Sequence, residues 1–279
     1  VGFSFKRGEI RLIFYLTASL IVLGCLHMII KLHISQGNSK LIDDTLIFSL
    51  PSGFTCPGAK DCLSKADRKT GKITDGKNQK FRCFSASQEA VYPSLRKAVW
   101  NNFTLLKKVS KDLSKPPYLS MRNLLVAGIK KKINHKINKL RIHVGGDFYS
   151  EDYFKAWLLA AKTFPSLIFY AYTKSIPFIV SNLNDIPSNV KFVCSEGGKF
   201  DHLIEEYGLK RAKVVFSLDE AKELGLDLDH DDSHAYDDSA EDFGLLIHGT
   251  QKINSSASKA WKKIKKTVGG YSKKRKYGK

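Results

Sequence analysis

From residue 140 onward, short apolar runs alternate with amphipathic segments, and that alternation leaves the chain few folds to choose from. LRIHV (140–144), LIFYAYT (167–173), KFVCS (191–195), AKVVFSL (212–218) and FGLLIHG (243–249) read as strands. Between the first two, Glu151–Thr163 places Tyr153, Phe154, Trp157, Leu158 and Ala161 on one helical face. Apolar strands separated by helices predict βαβ units and a largely parallel sheet. With TLIFSL (45–50), about six strands are visible, too few for a closed eight-stranded barrel. The expected fold is therefore α/β, a partial or open (β/α) barrel of about six mostly parallel strands. Upstream, one helix is expected from Ser87 to about Leu113, stopped by Pro116-Pro117, and another from Tyr118 to Lys132. The polar stretch from Asp67 to Lys80 reads as an exposed insertion.

In sheets of this kind, ligands sit beyond the carboxyl ends of the strands. The residues that follow the strands here are Gly145, Gly146 and Asp147; Thr173, Lys174 and Ser175; Ser195, Glu196 and Gly197; Ser217; and His248, Gly249 and Thr250. This composition suits a polar active-site rim, and it equally suits ordinary βα turns. Asp147 behind two glycines is placed for a ligand ammonium or hydroxyl, or for capping the helix that starts near Ser150. Lys174 suits a carboxylate or phosphate, with Ser195 on the same rim.

The chain has five cysteines, an odd number in a length that can build its own core, so a disulfide framework is not indicated. Three of them, Cys56, Cys62 and Cys83, lie close together in sequence. Three thiolates can hold a four-iron four-sulfur cluster and leave one iron open. Zinc is the alternative, with Cys194 or a histidine as fourth ligand. Packing of small buried residues is the third reading.

The net charge of +19 is uneven, because residues 259–279 carry ten lysines and arginines and no acid. That stretch reads as a basic tail, flexible and suited to nucleic acid or another polyanion. Residues 12–30 are uncharged and long enough to span a bilayer. Residues 1–27 are read either as a membrane anchor or as an upstream extension before Met28. A single domain over residues 28–258 is expected, cytoplasmic in the second case and membrane-attached in the first. The acidic stretch 226–242 offers His230 and His234 at helical spacing for a divalent ion, or simply a solvated loop.

GNSKL (37–41), FSLPSGFTCPGAKDC (48–62), RCFSASQEAVYPSLRK (82–97), HVGGDFYSEDYFKAW (143–157), FYAYTKS (169–175), DHDDSHA (229–235) and LLIHGTQ (245–251) together resemble the gene product 88 family of phage and plasmid proteins. The resemblance covers about residues 34–251 and carries no reaction with it. Its layout in turn looks like radical S-adenosylmethionine enzymes, which have three early cysteines, an aromatic beside the last, and a Gly-Gly-Glu turn after the second strand. The matching positions are Cys56, Cys62 and Cys83, then Phe84, then Gly145, Gly146 and Asp147. Two departures stand out: Asp replaces Glu, and a long insert separates Cys62 from Cys83. The likeness implies a four-iron four-sulfur cluster and S-adenosylmethionine, with Asp147 on the cofactor's ammonium. The alternatives are a zinc-stabilised nucleic-acid-binding module without catalysis and a membrane-anchored binding protein.

Overall fold

The computed structural model describes residues 31–38, 41 and 43–268. The chain divides into two compact units, Val1–Leu32 and His33–Lys279. The hydrophobic stretch at residues 12–30 and the sequence beyond residue 268 lie outside the described residues. Among the described residues, no helix is long and apolar enough to cross a membrane.

In chain order, the second unit runs β1 (Ser35–Gln36), β2 (Thr45–Phe48), β3 (Ser64–Ala66), β4 (Ile73–Asp75), α1 (Phe84–Val91), α2 (Pro93–Val109), α3 (Pro117–Lys130) and β5 (Lys139–Ile142). It continues through α4 (Glu151–Lys162), β6 (Ile168–Thr173), α5 (Ile176–Val180), β7 (Val190–Ser195), α6 (His202–Glu206), β8 (Arg211–Val215), α7 (Leu218–Glu223), β9 (Asp227–Leu228), α8 (Ser233–Tyr236), β10 (Phe243–Leu246) and α9 (Ser256–Thr267). Eight strands form one open sheet in the order β1-β2-β5-β6-β7-β8-β10-β9. The six expected strands are its centre, and every pair among them is parallel. The expected partial α/β barrel is therefore present, widened to eight strands by two-residue additions at its edges. β1 is antiparallel to β2, and β9 is parallel to β10.

Parallel strands are covered on both faces, which is why these runs are almost continuously apolar. On one face, Trp157 of α4 meets Phe48 edge-on at 5.3 Å, and Phe154 stacks on Phe192 at 5.1 Å. All five residues expected on the apolar face of α4 are buried. Ser150 caps the helix by accepting a hydrogen bond from Tyr153 N, and Glu151 and Asp152 complement the dipole in its first turn.

The single helix expected from Ser87 to Leu113 is in fact two. Tyr92 is extended (φ −109°, ψ 97°) because a residue before proline is pushed out of the helical region, and Pro93 opens α2. The insertion at 67–80 is largely exposed, as expected, and β4 within it pairs with β3 as an antiparallel hairpin.

The opposite face of the sheet is covered by part of the acidic stretch, which is solvated over residues 237–239 but packed at Asp229, Asp232 and Ala235. Asp229 and Asp232 are buried. Asp232 pairs with Arg141 and accepts hydrogen bonds from the hydroxyls of Tyr170 (3.3 Å) and Tyr172 (3.4 Å). Lys191 meets Asp238 at 2.6 Å and Arg211 meets Asp242 at 2.8 Å. Three of the acids are thus paired with cations spread over three strands, while Asp227, Asp231, Asp237 and Glu241 stay exposed. His230 precedes the four-residue helix α8, so it does not share a helical face with His234.

Candidate functional site

The loop after β2 carries Cys56 and Cys62 over the carboxyl ends of β6 and β7. Thr55 Oγ1 donates to Pro51 O at 2.8 Å, which curls the loop, and Gly53 N donates to Cys56 Sγ at 3.3 Å. Ala59 bridges to Gly198, Lys199 N donates to Gly58 O, and Asp61 N donates to Gly197 O, each of these two bonds 2.9 Å long. At Gly58 a Cβ would stand 2.0 Å from the carbonyl oxygen of Lys174, so only glycine permits this docking.

The hairpin then returns the chain. Lys80 N and Phe81 N both donate to Asp61 O, and Arg82 makes a bidentate pair with Asp75 at 3.0 and 2.6 Å. Cys83 N donates to Ser64 Oγ at 3.3 Å. The long insert between Cys62 and Cys83 therefore folds back on itself and puts the last cysteine beside the first two. All three are partly buried. The Cys83 thiol is pushed up to about 12, first by burial and next by the neighbouring Cys62. Burial also raises the Cys56 thiol, with further repulsion from Asp147, Cys83 and Cys62. Charge on Cys62 would raise the Cys83 thiol, and charge on Cys83 or Cys62 would raise Cys56, so the three lie in one neighbourhood. The backbone N–H groups of Ser85 and Ala86, at the start of α1, oppose the rise, although the Cys83 side chain makes no capping hydrogen bond.

Among the described residues, no three His, Cys, Asp or Glu side chains converge closely enough for a single metal ion. The donor set is soft, which suits zinc and iron–sulfur clusters alike, and Cys56 Sγ receives one N–H group, from Gly53.

The turn after β5 closes the site from below. Gly146 has φ +85°, and a Cβ there would stand 2.6 Å from Leu50, so this turn is also bound to glycine. Leu50 N donates to Gly145 O at 2.8 Å. Asp147 is 4% exposed and points inward, accepting from Thr173 Oγ1, Phe148 N and Lys174 N. Burial raises its pKa against those hydrogen bonds. Asp147 therefore ties β5 to β6 with its carboxylate, while the two glycines present backbone to the cysteine loop. Lys174 and Ser195 do come together, but as each other's partners. The ammonium of Lys174 donates to Ser195 O, Ser195 Oγ and Glu196 O at 2.6–2.8 Å, which uses all three of its protons. The ligand carboxylate or phosphate expected on Lys174 would have to displace one of them.

Phe84 stacks on His248 at 3.7 Å, joining the cysteine segment to the turn after β10. Arg82 N donates to Gln251 Oε1 at 2.7 Å, and Ser87 Oγ donates to Thr250 O at 2.9 Å. The segment 82–89 thus spans the open mouth of the sheet.

Sequence reasoning missed Glu89. It is fully buried, accepts from Ser52 N at 2.9 Å, and leaves Oε2 without a hydrogen bond, as Ser52 Oγ is also left. Burial raises its pKa. The one available signal was its place three residues after Ala86, on the buried side of α1. His143 was also missed. It sits at φ +66° and meets the Tyr153 hydroxyl at 2.9 Å; burial, then Arg141, lowers its pKa to about 3.

A family model described as Gene product 88 matches residues 32–265. Two relatives, each named Gene 88 protein, come from Mycobacterium phages D29 and L5. Both are 27% identical to this chain over 145 residues, which is 51% of the chain and 52% and 53% of the relatives. The matched region thus spans about half the length of those relatives. No solved structure matches.

Proposed function

The chain belongs to the gene product 88 family, and from that premise we propose that it is an iron–sulfur enzyme of the radical S-adenosylmethionine type. The observation that carries this reading is the return of the chain to the cysteine loop, with Cys83 N on Ser64 Oγ at 3.3 Å, while Leu50 N and Thr55 Oγ1 hold that loop to the Gly145-Gly146-Asp147 turn at the carboxyl edge of a parallel sheet. Cys56, Cys62 and Cys83 would hold a four-iron cluster, and the open face would take S-adenosylmethionine. Bound together, these groups supply one-electron radical chemistry.

The chain's own residues hold and position. With a cluster bound, Gly53 N–H and the first amides of α1 would offset negative charge on Cys56 and Cys83. Asp147, through Thr173 and Lys174, fixes the spacing between the glycine turn and the cysteine loop. The Phe84–His248 stack joins the cysteine segment to the turn after β10. The test is iron, sulfide and visible absorption of the chain purified without oxygen. Cofactor cleavage under reducing conditions is the assay that follows.

A further inference from the structure

We propose that helix α9 is a nucleic-acid docking surface that lays a polyphosphate strand beside the cysteine-bearing rim. Lys259, Lys262, Lys263 and Lys266 recur at i, i+3, i+4 and i+7, so they form one stripe, and Lys265 flanks it. All five are exposed, and among the described residues none of them makes an ion pair. The helix carries no acid at all, so its lysines repel one another along the stripe. Such a stripe is tolerated because the helix is held by its other face.

That other face also decides the kind of partner. Ala257 and Ile264 are buried with Val215, Leu246, Ile247 and Phe81, and Trp261 packs against the same cluster. A basic amphipathic helix binds a bilayer by sinking its apolar side into it, and here that side is already spent inside the protein. What remains outward is a row of point charges. The helix has lysine and no arginine, so it lacks the planar fork that reads carboxylates or base edges in pairs. A row of ammonium groups suits the evenly spaced phosphates of a nucleic acid, read without regard to sequence.

The placement relative to the site runs through the helix. Trp261 lies 6.5 Å from His248, which stacks on Phe84, the residue after Cys83. The lysine stripe is on the face of α9 away from Trp261, so a strand lying along it runs one helix diameter, roughly 10 Å, from the His248 side of the mouth. That the strand is the substrate rests on the reading of this rim as the catalytic centre; that it binds does not.

The experiment is anisotropy of a labelled DNA oligonucleotide, single-stranded and duplex, against the full chain over a salt series from about 50 to 200 mM. The variant combines Lys259→Gln, Lys262→Gln, Lys263→Gln and Lys266→Gln. A control removes the same charge elsewhere, with Lys97→Gln, Lys108→Gln, Lys111→Gln and Lys130→Gln, all exposed positions. The expected result is that the α9 variant loses about 3–4 from the slope of log affinity against log salt, and the control loses none. Equal losses in both variants would mean general charge attraction and would overturn the proposal. So would tighter binding to phosphatidylserine vesicles than to DNA, or an unchanged slope in the α9 variant. Iron is measured on the same samples: an iron-free protein that keeps the α9-dependent slope sinks the catalytic reading and leaves the docking surface standing.

Discussion

Thr173 Oγ1 donates a 2.5 Å hydrogen bond to Asp147 Oδ1, joining the turn after β5 to the end of β6 beneath the cysteine loop. Both residues are buried, and the same hydroxyl accepts from Ser175 N at 2.9 Å. Thr173→Val keeps the shape and removes both bonds, leaving a buried carboxylate short of a donor. It is expected to lower unfolding free energy by about 2–3 kcal/mol in urea titrations. A loss below about 0.5 kcal/mol would show that Asp147 does not depend on this partner.

The Asp75–Arg82 pair sets how far Cys83 sits from Cys62. The Arg82 hydrogen bonds are the largest influence on Asp75 and hold its pKa below the ordinary carboxylate value. A depressed carboxylate stabilises the fold above its unfolded pKa and loses that contribution as pH falls through the lower folded value. Asp75→Asn is therefore expected to be less stable than the parent at pH 7. The two should converge as pH drops below about 4. A gap that stays constant with pH would mean the pair contributes by shape alone.

His143 works in the same direction for a different reason. Its folded pKa of about 3 lies below the ordinary 6.5, because burial and Arg141 disfavour the charged ring. The unfolded chain takes up the proton first, so stability is full above about 6.5 and declines towards pH 3, by at most about 1.4 kcal/mol per pH unit. Asn tolerates a positive φ and does not titrate, so His143→Asn should flatten the stability curve across that window. An unchanged slope would place the acid sensitivity elsewhere.

Gly58 tests the docking of the cysteine loop. Gly58→Ala drives a Cβ into a backbone carbonyl that cannot rotate away, so the loop must lift from β6 and β7. A loss of about 1–3 kcal/mol is expected, together with faster proteolysis near residues 57–61. Unchanged cleavage would mean that the loop shifts without undocking.

The central sheet was legible because each of its six strands is an apolar run of a length only a covered strand needs. β1, β9 and the β3–β4 hairpin were not, since two or three polar residues such as Ser64–Ala66 carry no periodicity. The pairing of the acidic stretch was not legible because its partners, Arg141, Lys191 and Arg211, lie far away in sequence and only the sheet brings them alongside. The basic tail read from residue 259 begins as the ordered helix α9, since Ala257, Trp261 and Ile264 were outweighed by lysines in the charge count. At the rim, the three cysteines and two glycines were visible as residue types. The engagement of Lys174 with Ser195, and the burial of Glu89, depend on loop paths that no local pattern encodes.

The most direct test of the account is iron and acid-labile sulfide per chain, with visible absorption, after purification without oxygen. It should be run on the parent and on the variant combining Cys56→Ala, Cys62→Ala and Cys83→Ala. The account predicts a brown parent with about four irons and four sulfides, and a colourless variant. A colourless parent that takes up no iron on reconstitution, or a triple variant that keeps its iron, would contradict it.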